Sequence, residues 1–319
     1  MRGCSSALHL AGYLGFIRMM HRLLVVFSFL VCQVLAESPV EFGQRGFIEY
    51  QAGTLPLIIG APHGGYLQPK DLATRSYGVV DQDSNTQELA RMIHASFEKK
   101  RGATPHMVFC LLHRSKVDSN REIVEAAQGS PGAEQAWHDW HGFVGKAKAM
   151  VKHQFGTGLY IDLHGQRHKE ARVELGYMIG PDKLSLSDVA LEKQTLIARQ
   201  SSIRELDHRS PASFVELLRG PCSLGALLQQ RGFASVPSPA VPAPKPGELY
   251  FRGGFNTDVH GSRRVGTISA LQIECPWVGV RDTPSNRARF VDALTDVLPL
   301  WFRSHFGIPL APKPNTTQP

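Results

Sequence analysis

Five short apolar runs, each followed by a polar or glycine-rich bend and separated by helix-like stretches, constrain this fold more than anything else in the chain. They lie at residues 55–61, 106–112, 158–163, 173–179 and 265–273. Each is too short for a buried helix and too continuously apolar for a solvated strand, so each reads as a buried strand. Helical spacing of apolar residues recurs at 85–100, 133–154, 186–205, 224–231 and 286–306. Strands alternating with helices predict a single α/β domain, a mixed central sheet with helices on both faces. The Pro-rich stretch 236–247 reads as a surface loop inside that domain. No internal repeat is present.

The strand ends carry the chemistry. The first run leads into Pro62-His63-Gly64-Gly65, and the second into His113-Arg114, with Asp118-Ser119-Asn120-Arg121 just beyond. The third contains Asp162 and runs into His164-Gly165, and the fifth ends at Glu274-Cys275-Pro276. In open α/β sheets the carboxyl edge of the strands is where ligands bind. Four strands delivering His, Arg or Glu to that edge point to a site rather than to packing.

Two neutral imidazoles and one carboxylate form a catalytic zinc set that leaves a coordination position open. His63 and His164 supply the imidazoles. Asp81, Asp83 and Glu88, near the start of the 85–100 helix, are the candidates for the carboxylate; Asp83 also fits an N-cap. Asp162, two residues before His164, shares its strand face and can orient it. Glu274 closes an apolar strand, a costly place for a carboxylate unless it faces a polar cleft. There it can act as general base toward the attacking water. Arg121 and Arg114 present planar forks suited to a substrate carboxylate. The loop 250–256 (YFRGGFN) can fold over a substrate, and Asn256 in it is a candidate binding residue. The other histidines considered (His94, His138, His141, His153 and His208) read as ordinary surface or core residues.

Several classes are excluded or disfavoured. There is no GxSxG elbow, no phosphate-binding GxxxxGK[ST] and no HExxH. The net charge is +7, and without Arg2, Arg18 and Arg22 it is +4, with no dense basic run, so nucleic acid is not an expected partner. Residues 20–36 have a basic start, a short apolar run and a small-residue end at Val34 and Ala36. They predict a secretory signal peptide cleaved after Ala36, with residues 1–19 an upstream extension. The run is shorter than the roughly 20 residues that span a bilayer, so contact with a membrane is expected only if the segment stays uncleaved. The mature domain is then 37–307, with a loose tail at 308–319 carrying an Asn315-Thr316-Thr317 sequon. Three cysteines remain after cleavage, Cys110, Cys222 and Cys275, and Cys222–Cys275 is the pairing preferred over three buried thiols.

With these residues in place, the chain resembles the N-formylglutamate amidohydrolase family, which is related to zinc carboxypeptidases and aspartoacylases. The resemblance is carried by Pro62-His63-Gly64-Gly65, by Asp83 with Thr86 to Leu89, and by His113-Arg114 through Asp118-Ser119-Asn120-Arg121. Asp162-Leu163-His164-Gly165, Glu174-Leu175-Gly176, Gly253-Gly254 and Gln272-Ile273-Glu274 extend it in order. It implies a phosphorylase/hydrolase-like (zinc exopeptidase-like) fold with one zinc ion on His63, Asp83 and His164. It further implies Glu274 as base and acid, and Asn120 and Arg121 as ligands of a substrate carboxylate. Carboxypeptidases usually carry a Glu three residues after the first His, where this chain has Tyr66. The expected function is hydrolysis, outside the cytosol, of the amide bond of a small N-acyl amino acid, a peptide end or a related carboxylate-bearing substrate. The rival enzyme is a secreted carboxypeptidase acting on peptides or cell-wall fragments; the rival non-enzyme is a binding protein on the same fold. Oligomeric state is not legible.

Overall fold

The computed structural model describes residues 40–313. The expected signal segment and the Asn315 sequon lie outside the described residues. Eight strands form one sheet: β1 (Val40–Phe42), β2 (Ile48–Gln51), β3 (Leu57–Ala61), β4 (His106–Cys110), β5 (Gly158–Gln166), β6 (Val173–Gly176), β7 (Ser235–Val236) and β8 (Ile268–Pro276). Their order is β1-β2-β4-β3-β5-β8-β6-β7. The central β4-β3-β5-β8 block is parallel, β1-β2 and β2-β4 pair antiparallel, and β6 joins β8 antiparallel while pairing parallel with β7, so the sheet is mixed as expected.

Side chains alternate across this sheet and build two cores. Leu57, Ile59 and Ala61 pack on the face covered by helices Thr86–Arg101 and Pro284–His305, and Ile58 packs with Val108 and Tyr160 under helix Pro131–Phe155. The helix Thr86–Arg101 buries Leu89, Ala90, Ile93 and Phe97, one stripe at spacings of one, three and four residues. Fully burying a large apolar side chain such as Leu89, Ile93 or Phe97 contributes roughly 1.5–3 kcal/mol. Helix Pro131–Phe155 starts with Pro at its first position, buries Trp140, Val144, Ala147 and Val151, and stops at Gly156 in the left-handed region (φ 76°). Gly60 is required by close approach: a Cβ there would lie 2.6 Å from the Tyr160 hydroxyl and 3.1 Å from the Trp140 ring.

Several expected elements differ. The segment 186–205 is three short helices, Asp188–Glu192, Thr195–Gln200 and Arg204–Arg209. The interruption at Ser201-Ser202 serves the sheet, because Ser202 N–H donates to the Tyr177 carbonyl and the Ser202 carbonyl accepts from Ala270 N–H. The expected Cys222–Cys275 bridge is not formed: all three cysteines are free, Cys275 sealed inside β8 and Cys222 exposed in the turn before helix Leu224–Gln230. The expected loose tail begins later than 308, since Leu310 is buried and Ile308 packs against the core. Strands β1, β2 and β7 and helices Ile123–Ala127, Phe214–Arg219 and Phe255–His260 were not legible, being too short to show a period. Among the described residues no helix is long and apolar enough to cross a membrane.

Candidate metal centre

Strand β5 does not end at Leu163. It runs on to Gln166, pairing with β8 residue by residue, and this register sets His164 beside Glu274. His63 leaves the end of β3, the strand next to β5, and the loop behind it returns so that Asp83 N–H donates to the His63 carbonyl (3.1 Å). His63, Asp83 and His164 are all buried, and one ligand atom from each lies within 4.8 Å of the others. Asp83 Oδ2 is 3.1 Å from His164 Nδ1 and 3.5 Å from His63 Nδ1. Of the three acidic candidates Asp83 alone faces both imidazoles: Asp81 is exposed, and Glu88 pairs with Arg287 at 2.9 Å. Asp83 is not the N-cap either, a position taken by Asn85 at φ 67°.

The far side of each ring is fixed. His63 Nε2 lies 2.7 Å from Asp118 Oδ1, and His164 Nε2 lies 2.8 Å from Asp162 Oδ2. Asp118 also accepts from Arg114 Nε (2.9 Å) and the Asn120 amide (3.0 Å), and Asp162 from the Tyr160 hydroxyl (3.0 Å) and Asn256 Nδ2 (3.1 Å). An ionised carboxylate only accepts, so in its neutral, metal-binding form each ring gives its proton to the outer partner and turns a bare Nδ1 toward Asp83. Two nitrogen lone pairs and a carboxylate oxygen then converge, and buried His63 Nδ1 has no hydrogen-bond partner. A cation satisfies this donor set, and its composition of two nitrogens and one oxygen suits zinc.

Charges in the site follow from burial set against pairing. Burial opposes ionisation of Asp83 and Asp118, but the His164 and His63 imidazoles beside Asp83, and His63, Arg114 and Arg121 around Asp118, hold both well below the usual carboxylate range. For His164 burial favours the neutral ring, and Asp162 and Asp83 outweigh it in the opposite direction. Glu274 behaves differently. Burial, reinforced by Asp83 and Glu174, pushes its carboxyl up to about 8, against His164 and the 2.6 Å bond from Gln272 Nε2. Its Oε2 is left without a partner.

A cleft of about 150 Å³ opens on these groups, walled by Arg114, Asn120, Arg121, Phe251, Gly253 and Gly254 besides the triad and Glu274. Arg121, about one-third exposed, lines the cleft and is bonded to the Asn120 carbonyl (2.8 Å) and 3.3 Å from Glu125. Arg114 borders the cleft too, but is held by Asp118 and lies 3.7 Å from Asp83, which makes it mainly a counter-charge for the carboxylates. The Asn120 side chain is turned inward: its Oδ1 accepts from the Asn256 amide (2.8 Å) and its Nδ2 lies 3.2 Å from His164 Nε2. Gly254 makes room for it, since a Cβ there would meet that amide at 2.5 Å. Asn256 is a correction. It is fully buried behind the site, bonded to Asp162 and Trp140, and does not line the cleft, because the 250–256 loop folds its C-terminal end into helix Phe255–His260. The front of that loop does cover the cleft, tied down by Tyr250 Oη to the Leu175 carbonyl (2.7 Å).

No role was drawn from the sequence for Asp118, Gln272 or Glu174. The first was visible only as part of the Asp-Ser-Asn-Arg run, and the other two share strand faces with the site.

No protein-family model matches the sequence, and no curated protein matches it. Among solved structures the chain is similar to N-formylglutamate amidohydrolase from Ralstonia eutropha JMP134, at 13% identity and TM-score 0.48 over 86% of this chain and 100% of that one. It is similar to the succinylglutamate desuccinylase from Chromobacterium violaceum, at 10% identity and TM-score 0.38 over 87% of this chain and 73% of that one. It is also similar to an N-acetylmuramyl-L-alanine amidase from Mycobacterium smegmatis, at 11% identity and TM-score 0.34 over 78% of this chain and 97% of that one. The functional reading rests on the site's own geometry.

Proposed function

We propose that this chain is a zinc-dependent hydrolase that cleaves the amide bond of a small N-acyl amino acid or a related substrate with a free carboxylate. The observation that carries this reading is the convergence of His63 Nδ1, His164 Nδ1 and Asp83, each ring backed by a buried carboxylate. Zinc held by these three residues supplies Lewis acidity to the scissile carbonyl and the attacking water. Arg121 binds the substrate carboxylate and so places the amide over the triad. Glu274, with Oε2 free and its carboxyl poised near neutrality, takes the proton of the attacking water and hands it to the leaving amine. Asp118 and Asp162 keep the imidazoles in the tautomer that presents Nδ1. The enzyme acts outside the cytosol once residues 1–36 are removed.

Metal analysis of the purified protein tests the first step: about one zinc per chain is expected, lost in His164→Ala. An active protein without stoichiometric metal would overturn it. The secreted location is checked by N-terminal sequencing of protein recovered from the medium, which should begin at Glu37. Zinc-loaded protein that binds carboxylate ligands yet turns over no amide would favour the binding-protein reading.

A further inference from the structure

A second, larger lobe of the cleft, about 650 Å³, opens beside the small one. The two share Asp83, Arg114, Gly165 and Phe251, so they meet at the candidate metal centre. They differ in what else lines them. Arg121, Asn120 and Glu274 belong to the small lobe only, and Val79, Gln166, Arg167 and His168 to the large lobe only. On the reading above, the amine that leaves with the substrate carboxylate occupies the small lobe, because both its carboxylate anchor and its proton donor are there. The acyl half must then lie in the large lobe. A formyl or acetyl group fills a small fraction of 650 Å³, a volume within the roughly 300–1,000 Å³ typical of sites for much larger ligands.

The large lobe holds one histidine with a fixed tautomer. His168 Nδ1 lies 2.8 Å from Glu174 Oε1, and Glu174 Oε2 accepts the Phe251 amide (2.8 Å). Glu174 is fully buried and sits directly across the strand pair from Glu274. The His168 ring also stacks on Phe251, centroids 4.8 Å apart. With Nδ1–H given to Glu174, the remaining nitrogen, Nε2, has no partner among the described residues and serves as an acceptor on the lobe wall. Beside it Arg167 lies over the Trp277 ring, 4.6 Å from its centroid.

We propose that the acyl side of the substrate is at least one amino-acid residue long and that His168 reads it by accepting its amide N–H, with Glu174 as the positioning residue. This rests on the hydrolase reading and narrows it: the substrate class becomes an N-acyl dipeptide or short peptide end rather than a formyl or acetyl amino acid.

The test uses zinc-loaded protein and matched amides sharing one leaving amino acid X, varied over a panel: N-formyl-X, N-acetyl-X and N-acetyl-Ala-X. The kcat/KM for N-acetyl-Ala-X should exceed the others by about tenfold or more, the range one added group supplies in a fitted site. His168→Asn keeps a donor for Glu174 and withdraws the Nε2 acceptor from its place on the lobe wall. It should shrink that preference by about three- to tenfold, as expected for one lost hydrogen bond. Glu174→Gln should shrink it in the same direction. In parallel, calorimetry on Glu274→Gln protein should show N-acetyl-Ala-X binding more tightly than N-acetyl-X, with the difference reduced when His168→Asn is added. Equal or better turnover of the formyl or acetyl compounds, or a preference unchanged by His168→Asn, overturns this inference and leaves the hydrolase reading standing. His168-dependent binding of the longer ligand with no turnover of any amide overturns the hydrolase reading and leaves the lobe assignment standing.

Discussion

Replacing Asp118 by Asn isolates what the outer carboxylates do. The side chain keeps its shape but loses the charge that accepts from His63 Nε2 (2.7 Å) and Arg114 Nε (2.9 Å) and that faces Arg75 at 3.7 Å. Two consequences follow, and they separate experimentally. First, two buried guanidiniums lose a counter-charge, which costs on the order of 3 kcal/mol of folding stability whether or not metal is bound. Second, His63 is no longer held in the tautomer that presents Nδ1. Loss of such an outer partner typically lowers metal affinity 10–100-fold, or about 1.4–2.7 kcal/mol at 1.36 kcal/mol per tenfold. The measurement is urea unfolding of apo and zinc-saturated protein at fixed free zinc, buffered by a chelator. Zinc stabilises by an amount set by its affinity, so the structural cost cancels in the holo-minus-apo difference. That difference should fall by about 1.4–2.7 kcal/mol in Asp118→Asn. A variant destabilised in both forms with an unchanged zinc increment would refute the orientation argument.

Glu274→Gln should keep its zinc and lose about 100-fold or more in kcat, the span of general acid–base catalysis, and metal content measured on the same sample as the rate checks it. Gly60→Ala should lower the thermal midpoint, with a cost of about 1–3 kcal/mol from driving a methyl into Tyr160 and Trp140; an unchanged midpoint would show that the pair can shift. His106, buried in β4 and accepting from Gly53 N–H, is pushed by burial from 6.5 down to about 4. Above pH 6.5 neither the folded nor the unfolded chain protonates it, whereas between pH 6.5 and 4 only the unfolded chain does, so stability falls with falling pH across that window. His106→Asn should therefore lose about 2–3 kcal/mol less than wild type between pH 7 and 4.5, read from denaturant midpoints.

Much of this was legible before the fold was known, for physical reasons that differ by element. The central strands announced themselves because burial on both faces forces continuous apolar runs, as at Leu57–Ala61 and His106–Cys110. His63, His164 and Glu274 stood out because polar residues at the ends of such runs need an explanation. Spacing alone did not separate Asp83 from Asp81 and Glu88, and only the family resemblance singled it out, since which carboxylate turns inward depends on the path of the loop from Gly64 to Asn85, and that path has no periodicity. Asn256 was misplaced for a related reason: a glycine pair marks a bend but does not say which side of it faces the cleft. The roles of Asp118 and Glu174 come from contacts 55 and 6 residues away along the chain, His63 and His168 respectively, and only folding brings them together.

The pairing of β5 with β8 has a consequence for how such a chain can change over time. His164 and Glu274 form a single rung of one parallel ladder that runs unbroken for nine residue pairs. Their separation is therefore a property of the backbone spacing, about 4.8 Å between strands, and no side-chain substitution nearby can retune it. Insertion or deletion of a single residue in either strand would turn one of the two to the opposite face. Much of the wall of the large lobe obeys no such constraint, since Val79, Arg167 and Phe251 sit on connecting segments. Proton transfer is locked to the sheet while the choice of acyl group is free to drift, so close relatives of this chain should diverge in what they cut long before they diverge in how they cut it.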